Sequence, residues 1–330
     1  MARDETHVEV DGEQVRVSSP TKVMFPDQGW TKLDLVEHYV RCWPGALRGV
    51  YGRPTVLKRF NRGVGAEPVF QKRAPKTDPA HELATVRFPS GRTADMFVPR
   101  RGSDVVWLAQ QNCIDLNPWP VRAPDLDHPD ELRIDLDPTP GIDFADVRLV
   151  TLEVGRVLED HALTGWPKTS GNRGIHVYAR IEPAWSFTAV RRAALALGRE
   201  VERRLPDLAT TAWWKEQRRG VFLDYNQNAR DRTIASAYSV RQTGLVSAPL
   251  TWDEVADVDP RDFPMDRFDA RWAARGDLAE GMDEAVGRLD GLLELARADE
   301  AGGLGDAPWP PHFPKQDNEP TRVQPSRRRR

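Results

Sequence analysis

Cysteine is nearly absent: Cys42 and Cys113 are the only two in 330 residues. That excludes a disulfide framework and favours a reducing, cytoplasmic setting. No Cys/His cluster has zinc-ligand spacing, and the seven histidines are scattered. No apolar run approaches the roughly 18 residues that a membrane span needs, so no membrane partner is expected. The opening MARDETHVEV lacks the apolar centre of a signal peptide. Lysine is scarce too. Only eight occur, and Lys22, Lys32, Lys58, Lys72 and Lys76 all fall in the first quarter. In a chain that prefers arginine, these are either leftover surface lysines or places where a compact ammonium is wanted.

What is present is an ordinary globular composition, 39% hydrophobic and 29% charged, long enough for one large domain or two small ones. The net charge of −3 conceals segregation. Residues 53–101 carry 11 basic and 4 acidic side chains, residues 125–160 carry 3 and 11, and residues 165–245 carry 14 and 7. An acidic block between two basic ones is either chance surface charge or a cation site flanked by polyanion-binding surfaces.

Periodicity supplies the elements. Residues 8–17 alternate about a DG turn and predict a hairpin. Residues 31–47 have helical spacing with Thr31 as N-cap. Strand patterns cover 54–60, 131–138, 166–169, 175–180 and 220–228. Helical patterns cover 143–163, 187–205 and 283–298, and a further helix opens the stretch 103–120. Beyond about residue 302 the chain is rich in Gly, Pro and charge, which predicts a disordered tail over 303–330.

Three constellations carry chemistry. Asp135 and Asp137 lie at i and i+2 of a predicted strand and so share a face. Two adjacent carboxylates repel unless a cation lies between them, and their hard oxygens suit Mg²⁺ or Mn²⁺. The D-x-D pattern also occurs at Asp125/Asp127 and Asp257/Asp259, but in polar, Pro-rich stretches that predict loop or cap carboxylates. The second constellation is SGNRGIHVY, residues 170–178. Gly171 and Gly174 would let backbone N–H groups approach a phosphate, with Ser170, Arg173 and His176 as side-chain donors. His176 reads equally well as a satisfied structural histidine. The third is Asp224, closing the short apolar run VFLD. Taken alone it is either a strand-end cap or a site residue, and Arg218, Arg232 and Arg241 surround it in sequence.

In this order, the three motifs resemble the archaeo-eukaryotic primase superfamily. The words IDLDP, TSGNRGIHVY and VFLDYNQN, with NPWP upstream, are similar to the polymerase module of bacterial DNA ligase D and its stand-alone relatives, from about Val8 to Pro314. The resemblance implies that Asp135, Asp137 and Asp224 hold two Mg²⁺ or Mn²⁺ ions. It implies that Ser170, Gly171, Arg173 and His176 bind the triphosphate, with Arg241 and Asn117 also at the nucleotide. Arg173 stands where the family often has Lys, Asn117 where it often has His, and Thr243 where it has a second Arg. Lys22 and Lys32 match lysines that hold the 5′-phosphate of a DNA gap, and Lys58 is expected near them. Phe70 matches one of two stacked aromatics, Val69 replacing the other. Arg218 and Arg232 are expected on the DNA surface.

The expected fold is α/β: a primase-like catalytic core with a mixed sheet (about 121–302) beside an N-terminal α/β subdomain (about 1–120). The expected function is DNA-dependent nucleotide addition at ends and gaps in end joining or short-gap repair, using ribo- or deoxynucleotides. Expected partners are DNA bearing a 5′-phosphate, NTP or dNTP, a separate DNA ligase and an end-binding protein. Two alternatives share the motifs: a primase that starts chains de novo, and a non-catalytic DNA-end-binding factor.

Overall fold

The computed structural model describes residues 4–75, 81–311, 313–315 and 319–320. Lys76 and the final ten residues lie outside them. Two sheets face each other across a cleft. The first is built on Thr55–Arg59, which pairs with Val69–Gln71, Thr93–Phe97 and Asn117–Pro118, while Thr93–Phe97 pairs in turn with Leu83–Arg87. The second runs Trp166–Thr169, Ile175–Arg180, Glu131–Pro138, Val221–Leu223, Ala209–Thr210. It is antiparallel except for its last, parallel pair.

The helices form where their local signals place them. Lys32–Val50 starts at Thr31, whose side chain accepts from the Asp34 amide while the Asp34 carboxylate accepts from the Thr31 amide. This reciprocal cap satisfies donors that the first turn cannot. Pro44 removes a helical donor, and the helix bends at Cys42. Phe144–Asp160 and Phe187–Arg204 bury one apolar stripe each and pack on the second sheet. One continuous apolar core runs from Val10 to Ala307, through both the N-terminal part and the catalytic sheet. Cys42 and Cys113 are both buried and unpaired.

The central strand Glu131–Pro138 alternates as expected, but both faces are covered. Leu132, Ile134 and Leu136 enter the apolar core, while Glu131, Arg133 and Asp135 are buried on the other side. The neighbouring strand sets Arg180, Tyr178 and His176 opposite these three. Burial alone would raise the Glu131 carboxyl, but Arg53, Arg133 and Arg180 outweigh it and hold the group well below its usual range. The strand thus carries a buried charged face that ends at Asp135, with Asp137 exposed beyond it.

The other two D-x-D pairs are turn and cap residues. Asp125 accepts from the Asp127 and His128 amides, and Asp259 from the Arg261 amide. The helix expected from residue 283 begins only at Asp290. The preceding residues are drawn onto the sheet instead, where Gly287 exchanges backbone hydrogen bonds with Arg180 and Glu182. Over the described residues of 303–315 the tail expectation is also corrected, and the rest of 303–330 lies largely outside the described residues. This stretch docks on the protein, with Ala307, Trp309 and Phe313 buried, because three apolar side chains and a buried arginine give it something to cover. Among the described residues no helix is long and apolar enough to cross a membrane.

Candidate active site

The polar face of the central strand opens into the cleft between the sheets. Asp135, Asp137, the Ser170–Gly174 turn, His176 and Arg241 line it from the catalytic side. Lys58, Phe70 and Asn117 line it from the N-terminal sheet. Most of the nucleotide-binding set read from sequence therefore converges, together with two of the residues expected at DNA.

Asp224 follows the neighbouring strand, and its amide donates to the Asp135 carbonyl at 2.9 Å. Its Oδ1 caps the next turn by accepting from the Asn226 amide, as the strand-end reading expects, and its Oδ2 accepts from the Gln227 side chain. The Gln227 amide nitrogen joins the acids, donating to Asp135 at 3.1 Å and to Asp224 at 3.2 Å. Burial lifts the Asp135 carboxyl to about 6, against the pull of Lys168 and Arg241. The Asp135 charge, then burial, lifts Asp137 to about 6. Burial, then Asp135, lifts Asp224 to about 7. Clustered acids of which one raises the other two are what a divalent cation relieves. Among the described residues no three potential ligands converge on one point as they stand; the Gln227 amide occupies the space between Asp135 and Asp224.

His176 has a polar partner within reach of each ring nitrogen. Nε2 lies 3.3 Å from Asp135 Oδ1, and Nδ1 lies 2.7 Å from Lys168 Nζ. Burial, then the Lys168 charge, keeps the imidazole neutral, well below its usual range. Lys168 was missed by sequence reasoning. It is buried and donates at 2.8 Å each to the Ala235 carbonyl and to Ser247 Oγ. Ser247 gives its own proton to the Thr169 carbonyl, so it can only accept from the lysine. His176 Nδ1 accepts from Lys168 Nζ, which leaves Nε2 as the protonated nitrogen of the neutral ring, facing Asp135. Burial, then the Arg241 charge, pulls that ammonium well below the usual lysine range, and Asp135 opposes them. Its signal in the sequence was simply that it is one of eight lysines, two residues before Ser170.

The Gly-rich turn closes on itself. Ser170 Oγ accepts from the Asn172 and Gly174 amides, and the Ser170 amide donates to the Gly174 carbonyl. The Gly174 N–H is therefore spent within the turn and is not offered to a ligand, which corrects the reason given for that glycine. What requires it is close approach: a Cβ there would collide with the Leu136 carbonyl oxygen, on the strand between the two acids. Gly171 has φ +69°, and a Cβ would meet the Arg241 side chain. Gly174→Ala is expected to lower stability by roughly 1–3 kcal/mol, read from urea unfolding. An unchanged midpoint would show that the turn can move off the strand.

Asp115 is a second residue missed in sequence, buried at the back of the cleft. It accepts from Lys58 Nζ at 2.9 Å and from Asn117 Nδ2 at 3.0 Å, and Arg241 Nε lies 3.8 Å away. It thereby ties both walls to one carboxylate. Lys58 was expected beside Lys22 and Lys32, and the structure places it otherwise. Successive strand residues point to opposite faces, so Lys58 turns into the cleft while Arg59 turns toward the other two lysines. Lys22 Nζ donates to the Asn61 carbonyl at 2.8 Å, and Lys32 Nζ to the Ser18 carbonyl at 2.7 Å. Burial, then Lys22 and Arg59, lowers Lys32 to about 8. Lys22 and Lys32 form no ion pair with a carboxylate among the described residues.

Phe70 is 63% exposed, beside Val69 at 54%, on the strand that edges the cleft. Arg173 is exposed on the turn, where its charge acts on Asp137. Arg218 was expected on a DNA surface. Its guanidinium instead lies on the Phe222 ring and donates to the Ala212 and Trp213 carbonyls, beneath the acids. Arg232 Nε is buried without a hydrogen-bond partner, and the Arg232 charge lowers Asp224.

Comparison with known proteins decides what this cleft belongs to. The family model described as LigD, primase-polymerase domain, matches residues 31–279. The chain belongs to the LigD primase-polymerase domain family. It is accordingly a polymerase-type nucleotidyltransferase. It is similar to the multifunctional non-homologous end joining protein LigD of Mycolicibacterium smegmatis, with 30% identity over 93% of this chain and 41% of that protein. It is also similar to the bifunctional LigD of Bacillus subtilis, with 29% identity over 77% of this chain and 41% of that protein. The chain thus spans well under half the length of these curated relatives. The polymerase domain of Mycobacterium tuberculosis ligase D, solved in complex with DNA, superposes with a TM-score of 0.76 at 31% identity. That match covers 82% of this chain and 98% of the other, and it agrees with the expected primase-like α/β fold.

Proposed function

We propose that this chain adds nucleotides to 3′ ends at DNA gaps and breaks, in end joining. The observation that carries the reading is the cleft itself, with Asp135 and Asp137 of the central strand on its floor and Lys58, Arg173 and Arg241 around it. A triphosphate needs cations, and the acids need a cation between them. A nucleotide bound with divalent metal supplies both requirements.

The donor set fits Mg²⁺ or Mn²⁺: hard carboxylate oxygens from Asp135, Asp137 and Asp224, each with its pKa raised by burial or by a neighbouring acid. Turning the Gln227 amide aside would leave Asp135 and Asp224 facing each other. When bound, two such ions supply the charge that acidifies a primer 3′-hydroxyl and neutralises departing pyrophosphate. The protein's own groups do the rest. Arg173 and Arg241 hold the triphosphate over the turn closed by Ser170. Lys58, anchored on Asp115, presents its ammonium from the opposite wall. The His176 imidazole holds Asp135 in place. Phe70, exposed at the rim, stacks on a template base.

Lys22 and Lys32 are proposed to take the 5′-phosphate on the far side of the gap. Both are half-satisfied by carbonyls and lack a carboxylate partner among the described residues, and Arg59 adds a third positive charge. A terminal phosphate carries more charge than a diester. Each charge-assisted contact contributes about 1.5–3 kcal/mol. Removing the phosphate should therefore weaken binding to gapped DNA by about tenfold or more, and Lys22→Ala with Lys32→Ala should do the same. In that double variant the phosphate should cease to matter. Affinities measured at one salt concentration, because backbone contacts are salt-dependent, decide it. Equal losses for phosphorylated and unphosphorylated gaps would remove the assignment. The parent reading is tested by gap filling with ribo- and deoxynucleotides, with and without Mn²⁺. Absence of metal-dependent incorporation of either would overturn it.

A further inference from the structure

Behind the catalytic sheet, Arg191 is 1% exposed, and each of its three guanidinium nitrogens donates a hydrogen bond. Its Nε donates to Asn226 Oδ1 at 2.7 Å. Its Nη1 donates to Asp306 at 2.7 Å, and its Nη2 to the carbonyls of Ala307 at 2.8 Å and Pro308 at 3.1 Å. The Tyr225 and Trp309 rings lie 5.0 and 4.1 Å from its centre. One arginine therefore joins the turn after Asp224 to a strap more than 80 residues further on. Asn226 closes the link from its other side, donating Nδ2 to the Pro308 carbonyl at 3.2 Å and its amide to Asp224 Oδ1 at 3.0 Å.

The strap is held in several ways. Trp309 and Phe313 pack with Ala229, which ends the same turn. Trp309 Nε1 donates to Asp306 Oδ2 at 2.8 Å. The turn these contacts grip, Tyr225–Asn228, carries Gln227, which bridges Asp224 to Asp135. The strap lies outside residues 31–279, the stretch that the family model matches.

We infer that Arg191 and the strap Asp306–Phe313 position Asp224: the strap fixes Arg191, Arg191 fixes Asn226, and Asn226 fixes the carboxylate. A brace for the helix Phe187–Arg204 alone would need neither the Asn226 side chain nor its link to Asp224. A buried arginine has five donors to satisfy. Here four of its contacts divide between the site turn and the strap, so loosening either side frees the other. Partners of metal-binding groups typically change metal affinity about ten- to a hundredfold when removed, and that is the size of effect expected.

The inference rests on the reading of Asp224 as a metal ligand, so its test carries that reading as a control. The 330-residue chain is compared with its Trp309→Ala, Trp309→Phe, Asp306→Asn and Asp224→Asn variants. Mn²⁺ affinity is measured by isothermal titration, melting temperature by calorimetry, and kcat and KM by gap filling. Trp309→Ala should raise the Mn²⁺ Kd about tenfold or more and lower kcat, with the KM for gapped DNA unchanged. Trp309→Phe, which still covers Arg191, should restore both. Asp306→Asn keeps the shape of the strap and should shift Kd the same way, which preserves the test if Trp309→Ala does not fold. A lower melting temperature with unchanged Mn²⁺ Kd and kcat in Trp309→Ala and Asp306→Asn would reduce the strap to a brace and overturn the inference. Unaltered Mn²⁺ affinity in Asp224→Asn would overturn the reading beneath it.

Discussion

Asp135→Ala and Asp137→Ala should each abolish metal-dependent nucleotide addition while leaving the protein folded, and the metal-free variants should be no less stable than the parent near neutral pH. The acids repel one another, and deleting one removes the repulsion. The sign follows from the raised values, about 6 for Asp135 and Asp137 and about 7 for Asp224, against 3.8 for an ordinary aspartate. An acid with a raised native pKa holds its proton more tightly folded than unfolded. The contribution of these three acids to the stability of the metal-free protein is therefore fully present below about pH 4 and is lost as pH rises through 6 to 7. A bound divalent cation should offset this, so Mn²⁺ should raise the melting temperature more at pH 7.5 than at pH 5. In Asp135→Asn the fall with pH should flatten. Asp137 is exposed, and solvent screening makes its share the smaller one. Melting curves across pH, with chelator and with Mn²⁺, provide the measurement. A stability profile from pH 4 to 7 that is the same in Asp135→Asn as in the parent, or an Asp135→Ala enzyme that retains Mn²⁺-dependent addition, would dismiss the triad.

Replacing Lys168 with Met should cut kcat/KM for nucleotide addition by about ten- to a hundredfold although the side chain does not line the cleft. The lysine supplies protons to His176 Nδ1, the Ala235 carbonyl and Ser247 Oγ. Without it three buried acceptors lose a donor, at about 1–3 kcal/mol for each group left unsatisfied. His176 also loses the contact that keeps its Nε2 proton pointed at Asp135. The loss should therefore fall on kcat and on Mn²⁺ affinity, with DNA affinity intact. Nitrogen-15 shifts of the His176 ring should report a change of tautomer. Full activity with an unchanged tautomer would show that the lysine only fills space.

The parts of this site legible in the sequence are those written in short windows. Period-two alternation over Leu132, Ile134 and Leu136 identified the strand and placed Asp135 and Asp137 on one face. Thr31 announced a helix start, and two glycines announced a tight turn after Ser170. Those signals are local because backbone geometry is local. The motif order then identified the family. Tertiary structure decided the rest. It buried the polar face of the central strand by laying Ile175–Arg180 beside it. It brought Lys168 to His176 and Asp115 to Lys58 and Arg241. It parted Lys58 from Lys22 and Lys32, and it docked a Pro-rich tail over Arg191. Each of these depends on which distant segments share a buried space, where an unpaired polar group is costly. Composition can say that a chain holds few lysines; only packing determines which one is surrounded by acceptors.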